Sequence, residues 1–281
     1  MTDGDVAEVR TLLHGTHNLA TAIETGAAGG PAGGSQAAEE LARQGDFAGP
    51  WGPEPLTVVH ATAQRLAAAA ADHLVALTSL TDRSAAVPPG RTLTGALTQA
   101  CASVWWVCDP SLGMRGRLAR GWTDAWYWAD TAGQRPPRVI VSSEALHSAA
   151  QQFGFVLLGE PPAALDEWRP VTAELAAAML GEAPTRSRAR LLAAAEGALA
   201  GPLGLATGAP VGPEVVPVTP SEPADRGDVV PLAGVSALLY IEAFARWASY
   251  LGWEREPWHA WRVHACAMID RLAGGGQASK R

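Results

Sequence analysis

The densest chemical signal in the sequence lies between residues 105 and 128. Trp105-Trp106-Val107-Cys108-Asp109-Pro110 is followed by Arg115, Arg117 and Arg120, then by Trp122, Trp126, Tyr127 and Trp128. Trp122 and Trp126 are four apart, so on one helix their indoles share a face and stack along it. Guanidinium groups beside indoles suit a pocket in which Arg binds an anion and the rings stack on a planar ligand. Arg117, Arg120, Trp122, Trp126 and Asp109 are therefore the candidate ligand-binding residues. A second aromatic set, Trp247, Tyr250, Trp253, Trp258 and Trp261, could face them. The competing reading is packing, because Ala-rich helices approach closely and leave gaps that large indoles fill. On that reading Trp105 or Trp106 is buried together with Trp122, and Arg117 or Arg120 pairs with Asp109 or Asp124.

Other chemistries lack their residues. His14 and His17 lie three apart on one helix face and make half a metal site at most. His264 and Cys266 are two apart and point away from each other, and Cys101 and Cys108 stand two turns apart. No CxxC and no HExxH occurs, so no metal and no cofactor is expected. Asp124 and Asp130 do not form the acidic cluster that holds Mg²⁺ on a diphosphate. No GxSxG appears, and no glycine-rich stretch has the strand before and helix after it that a phosphate loop requires.

The 281 residues carry a net charge of −7 and a pI near 5.5, which argues against a nucleic-acid partner. Lysine occurs once, at Lys280, so nearly all positive charge is Arg, which stacks and forms bidentate pairs. The N-terminus has no basic region followed by an apolar one, and no window approaches 18 uninterrupted apolar residues. Three widely placed cysteines do not suggest a disulfide framework. The expectation is a cytoplasmic protein with no membrane contact.

The elements that must position these residues are helices. Alanine makes up about a fifth of the chain and Ile appears four times, which favours helix over strand. Helical spacing is read over 5–24, 36–43, 56–80, from Thr92 or Thr94 to Cys108, 112–133, from Ser142 or Ser143 to Phe153, 161–180, 185–200, 232–251 and 258–272. Strand candidates are limited to Val139–Val141 and Phe155–Leu158. The predicted fold is all-α: residues 1–48 form a loosely attached N-terminal helical arm with a Gly-rich linker, and residues 49–281 form a multi-helix bundle. A long Pro/Gly-rich loop, 201–231, precedes the last two helices.

The segments ADHLVALTSL (71–80) and ACASVWWVCDPSLGMRGRLAR (100–120) carry a resemblance. They resemble a group of actinobacterial all-helical proteins in which a helix ends in Trp-Trp, two residues, Asp-Pro and then an Arg-rich helix. The resemblance covers about a third of the chain and extends distantly to HEPN domains, some of which are ribonucleases. Where that group carries Glu six residues before the first Trp, this chain has Gln99, and the Ser and His-Gly of a later helix are missing from 193–208. A HEPN site would need Arg and His four to six apart; Arg10 and His17 are seven apart. The functional expectation is a non-enzymatic helical binding or regulatory protein whose partner is another protein or a second copy of itself. The alternatives are a HEPN-like ribonuclease or its degenerate relative, and a small-molecule-binding enzyme with a Trp/Arg-lined pocket.

Overall fold

The computed structural model describes residues 2–27, 30–81, 87–131, 143–159, 164–200 and 229–278. The fold is an all-α multi-helix bundle. Its helices are α1 (Asp3–Gly26), α2 (Gln36–Ala42), α3 (Pro55–Leu80), α4 (Val87–Val107), α5 (Met114–Thr131), α6 (Ser143–Phe153), α7 (Thr172–Glu182), α8 (Arg188–Leu199), α9 (Val229–Leu251) and α10 (Glu256–Ala278). A two-stranded antiparallel ribbon, β1 (Leu157–Leu158) and β2 (Ala164–Leu165), follows α6. The strand candidate at 139–141 and the loop at 201–228 lie outside the described residues.

Helix α9 is the axis of the bundle. Every residue from Leu232 to Phe244 is buried, as expected of a helix apolar on all sides and surrounded by others. It packs against α1, α3, α4, α7, α8 and α10. Among the described residues it is the helix long and apolar enough to cross a membrane, with a mean hydropathy of 1.5, and most of that stretch lies inside the bundle.

Three elements differ from the sequence reading. The N-terminal arm packs more intimately than its Gly-rich connection suggests. Val9, Leu12, Leu13, Thr16 and Ala20 of α1 are buried against α3, α9 and α10. Gly15 explains the fit: a Cβ there would stand 2.3 Å from the Trp261 ring of α10, whose Nε1 donates to Thr16 Oγ1 at 2.9 Å. Helix α4 begins at Val87, so Pro88-Pro89-Gly90 forms its first turn, where missing N–H donors cost nothing. Thr94 therefore caps no helix; its hydroxyl meets Ser236 of α9 at 3.1 Å. Helix α7 starts at Thr172 and not at residue 161, because β2, a left-handed Asp166 (φ 59°) and the helix-opposing Arg169-Pro170 pair intervene.

Helix α8 takes its N-terminal support from another helix. Asp270 of α10 accepts from Thr185 Oγ1 (2.7 Å), Ser187 Oγ (2.8 Å) and the amides of Arg186 and Ser187 (3.1 Å each). These bonds satisfy donors just ahead of a helix whose own preceding Ser187 makes no side-chain cap. Burial alone would raise the Asp270 carboxyl, but the four hydrogen bonds outweigh it and hold it below its ordinary range.

Candidate functional site

The Trp-Trp-x-x-Asp-Pro segment closes α4 and turns the chain into α5. Pro110 disfavours helical geometry at Asp109, and Asp109 then bonds the amide and hydroxyl of Ser111 at 2.9 and 2.7 Å. Three arginines gather at the end of α4: Arg117 and Arg120 from α5, beyond this turn, and Arg246 from α9. Arg120 of α5 pairs with Asp109 Oδ2 at 3.3 Å and with Glu167, and it donates to the Trp106 carbonyl at 2.9 Å. Arg246 of α9 reaches the same Asp109 oxygen at 3.7 Å and Glu182 at 3.0 Å, with its guanidinium 3.4 Å over the Trp105 ring. Burial would raise the Asp109 carboxyl. Ser111's hydrogen bonds, Arg246 and Arg120 together outweigh it and hold the group below its ordinary range.

Arg117 is fully buried. Its Nε donates to Glu40 Oε2 at 2.9 Å, and its other nitrogens bond the carbonyls of Val107, Asp109 and Leu112. Gln36 of α2 supports Glu40 Oε1 at 3.0 Å. Tyr250 Oη donates to the same Glu40 Oε2 at 2.8 Å, and the guanidinium lies 3.7 Å over the Tyr250 ring. His60 Nε2 approaches Tyr250 Oη at 2.6 Å. Since that hydroxyl gives its proton to Glu40, His60 Nε2 carries the hydrogen in this contact. Burial, with Arg117 nearby, pushes the His60 pKa down to about 4.

A third cluster sits between α4 and α5. Arg169 Nε pairs with Asp124 Oδ1 at 2.7 Å, and Ser103 Oγ donates to the same oxygen at 2.8 Å. Trp128 Nε1 donates to Ser103 at 3.0 Å, and Arg169 lies over the Tyr127 ring at 4.1 Å.

The five residues singled out from sequence thus fall in different surroundings. Arg120 and Asp109 meet, as expected; Arg117 turns inward to Glu40. The intrahelical Arg120–Asp124 pair does not form, because Asp124 faces α4 and takes Arg169. Trp105, Trp106 and Trp122 are all buried. Trp122 stacks on Trp51 at 5.0 Å, while Trp126 lies half-buried against the core. The Gly49–Gly52 bridge brings Trp51 there, so its ring takes the place that the spacing gave to Trp126. Of the second aromatic set only Tyr250 joins these residues; Trp247, Trp253 and Trp258 close around Phe244. Sequence reasoning missed Glu40, His60, Arg169 and Arg246, whose isolated side chains carry no local pattern.

Chemically, the charged groups of these clusters are paired internally, while the buried indole N–H groups of Trp51, Trp105 and Trp122 have no hydrogen-bond partner among the described residues. Every arginine named has at least one carboxylate partner. The thiols of Cys101, Cys108 and Cys266 are buried, and burial raises Cys108 to about 12 and Cys266 to about 11, away from nucleophilic thiolate. Among the described residues no group of three or more His, Cys, Asp or Glu side chains is placed to hold a metal. Arg10 turns to Thr81 Oγ1 at 3.2 Å, away from a shared site with His17, two turns along α1.

The same salt bridges present one side chain outward. Residues 166–169 run from β2 toward α7, and three of them are clamped. Asp166 pairs with Arg115 at 2.9 Å and accepts from the Val156 amide at 2.8 Å; Glu167 pairs with Arg120; Arg169 pairs with Asp124. Between the last two, Trp168 is 58% exposed, and Val156 and Val171 are equally exposed beside the clamp. No protein-family model matches the chain, and no curated protein and no solved structure shows significant similarity to it. Fold and site define an all-α bundle with an ion-paired interior and an outward-held tryptophan.

Proposed function

We propose that this chain is a helical binding protein that works through a displayed surface and performs no chemistry on its partner. One observation carries the reading: Trp168 stands in solvent between Glu167 and Arg169, both fixed by ion pairs to α5. Tryptophan is enriched among residues that dominate protein interfaces, and a rigidly held one loses little conformational entropy on binding. An ordinary loop tryptophan would fold onto the nearest apolar surface; here both neighbours hold the backbone so that the ring faces out. The partner is a protein with an apolar pocket for an indole.

A photo-crosslinking amino acid at position 168, introduced in the native host, identifies that partner. The affinity of the purified pair is then measured for the parent chain and for Trp168→Ala. Binding should weaken by about tenfold or more, as for an interface hot spot, with stability changed by no more than about 0.5 kcal/mol, as for a surface position. An unchanged affinity would overturn the reading, and so would a large loss of stability.

A further inference from the structure

Helices α9 and α10 line an open cleft of about 260 Å³, to which α7 contributes Glu182. Its floor is made of small and flat groups: Ala245, Ala248 and the buried Trp258, whose indole N–H is already spent on the Ile241 carbonyl at 2.9 Å. Its walls carry charge. Arg255, just before α10, is followed by His259 and Arg262 on that helix at the spacing of a single face, and Arg246 lines the cleft from α9. Two of the arginines are oriented by the protein: Arg262 by Glu242 (2.6 Å) and the Glu182 carbonyl, Arg246 by Glu182 (3.0 Å).

Arg255 differs. Among the described residues it bonds only a carbonyl, that of Ser249 at 3.3 Å, and it precedes the first turn of α10, where the helix dipole adds positive potential. Of the three lining arginines, Arg262 is matched by Glu242 and Arg246 by Glu182 and Asp109, while Arg255, flanked in sequence by Glu254 and Glu256, makes no ion pair with a described residue. An arginine with no carboxylate contact, lining a cleft beside Ala245, Ala248 and Trp258, suits a ligand with one negative charge and an apolar body.

We propose that this cleft binds a small organic monocarboxylate, its carboxylate on Arg255 and its apolar body along Ala245, Ala248 and Trp258. Glu182 and Glu242 disfavour a dianion, because a second negative charge would stand against two carboxylates. A free organic acid and the C-terminus of a short apolar peptide offer the same chemistry, and the cleft is open enough for either.

The test is isothermal titration of the full chain with hexanoate, benzoate and phenylacetate, with phenylacetamide as the uncharged control. Ala-Phe dipeptide as free acid and as C-terminal amide forms the second arm. At least one acid should bind saturably while its amide does not. Arg255→Gln and Ala245→Leu, one removing the charge and one filling the floor, should each weaken it about tenfold. Binding by the dipeptide acid alone assigns the site to a peptide C-terminus. Absence of saturable binding in both arms overturns the proposal, as does equal binding of acid and amide. An unchanged affinity in Arg255→Gln has the same meaning, and because Arg255 is exposed that variant retains the fold.

Discussion

Glu40 Oε2 receives hydrogen bonds from both Arg117 and Tyr250, while the Arg117 guanidinium lies 3.7 Å over the Tyr250 ring. Three buried side chains from α2, α5 and α9 thereby satisfy one another. The arrangement is asymmetric in energy. Two charges removed from water are compensated only while both are present, so losing one leaves the other stranded.

Glu40→Gln should therefore destabilise the chain by about 3–5 kcal/mol, the cost of breaking a buried pair. Replacing the pair together, Glu40→Met with Arg117→Met, should recover a large part of that loss. Urea denaturation of the single and double variants measures both. A Glu40→Gln cost below about 1 kcal/mol, ordinary for a surface change, would show that the pair is not coupled.

Acid should act first through His60. Its folded pKa near 4 lies below the ordinary 6.5, so between those values the unfolded chain binds a proton that the folded chain refuses. Stability is full above pH 6.5 and falls as the pH drops toward 4, by up to roughly 3 kcal/mol at about 1.36 kcal/mol per unit. Asp109 and Asp270, both held below their ordinary 3.8, act later: their contribution is present above that value and is lost as the pH falls through their lower folded values. Melting temperatures of parent and His60→Gln across pH 7 to 4 separate the windows. The His60→Gln curve should be flatter above pH 4, and parallel curves would contradict the assignment.

Trp122 fills the space between α5 and Trp51 and is buried. Trp122→Ala should cost about 3–5 kcal/mol, the range for deleting a buried aromatic. Were the indole instead the wall of a ligand pocket, the substitution would abolish binding at little cost to stability, and urea melts distinguish the two.

Asp270→Ala removes four hydrogen bonds ahead of α8. The expected loss is about 1–3 kcal/mol, since the donors are part-exposed and water replaces some of the bonds. Hydrogen exchange should quicken specifically at residues 185–191. Uniform acceleration across the chain would mean that Asp270 supports the bundle globally and not that helix end.

The sequence showed helix positions well because their signal is local. The Ala-rich stripe of α3 and the apolar run of α9 fix period and length without tertiary information. The start of α7 escaped because Ala164-Leu165 has helical composition, and only pairing with Leu157–Leu158 makes it a strand. At the site, Arg120–Asp109 was legible because the Asp-Pro turn brings neighbouring segments together. Arg117–Glu40 spans 77 residues and Arg169–Asp124 spans 45, and no spacing rule reaches that far. Trp51 lies in a Pro/Gly-rich segment and Trp168 in the stretch read as helix from 161 to 180; only burial and ion pairing show that one is core and the other displayed.

The meeting of Gly15 and Thr16 with Trp261 also sets an order in time. Some 245 residues separate Thr16 from the ring that covers it. At about 5–20 residues per second, synthesis takes roughly 10–50 s to deliver Trp261 after α1 has emerged. Throughout that interval one side of α1 lacks its final neighbour, and closing so long a loop is slow compared with forming local helix contacts. Helix α1 is thus completed long after it is made, and the newborn chain must keep that side from other surfaces until α10 arrives.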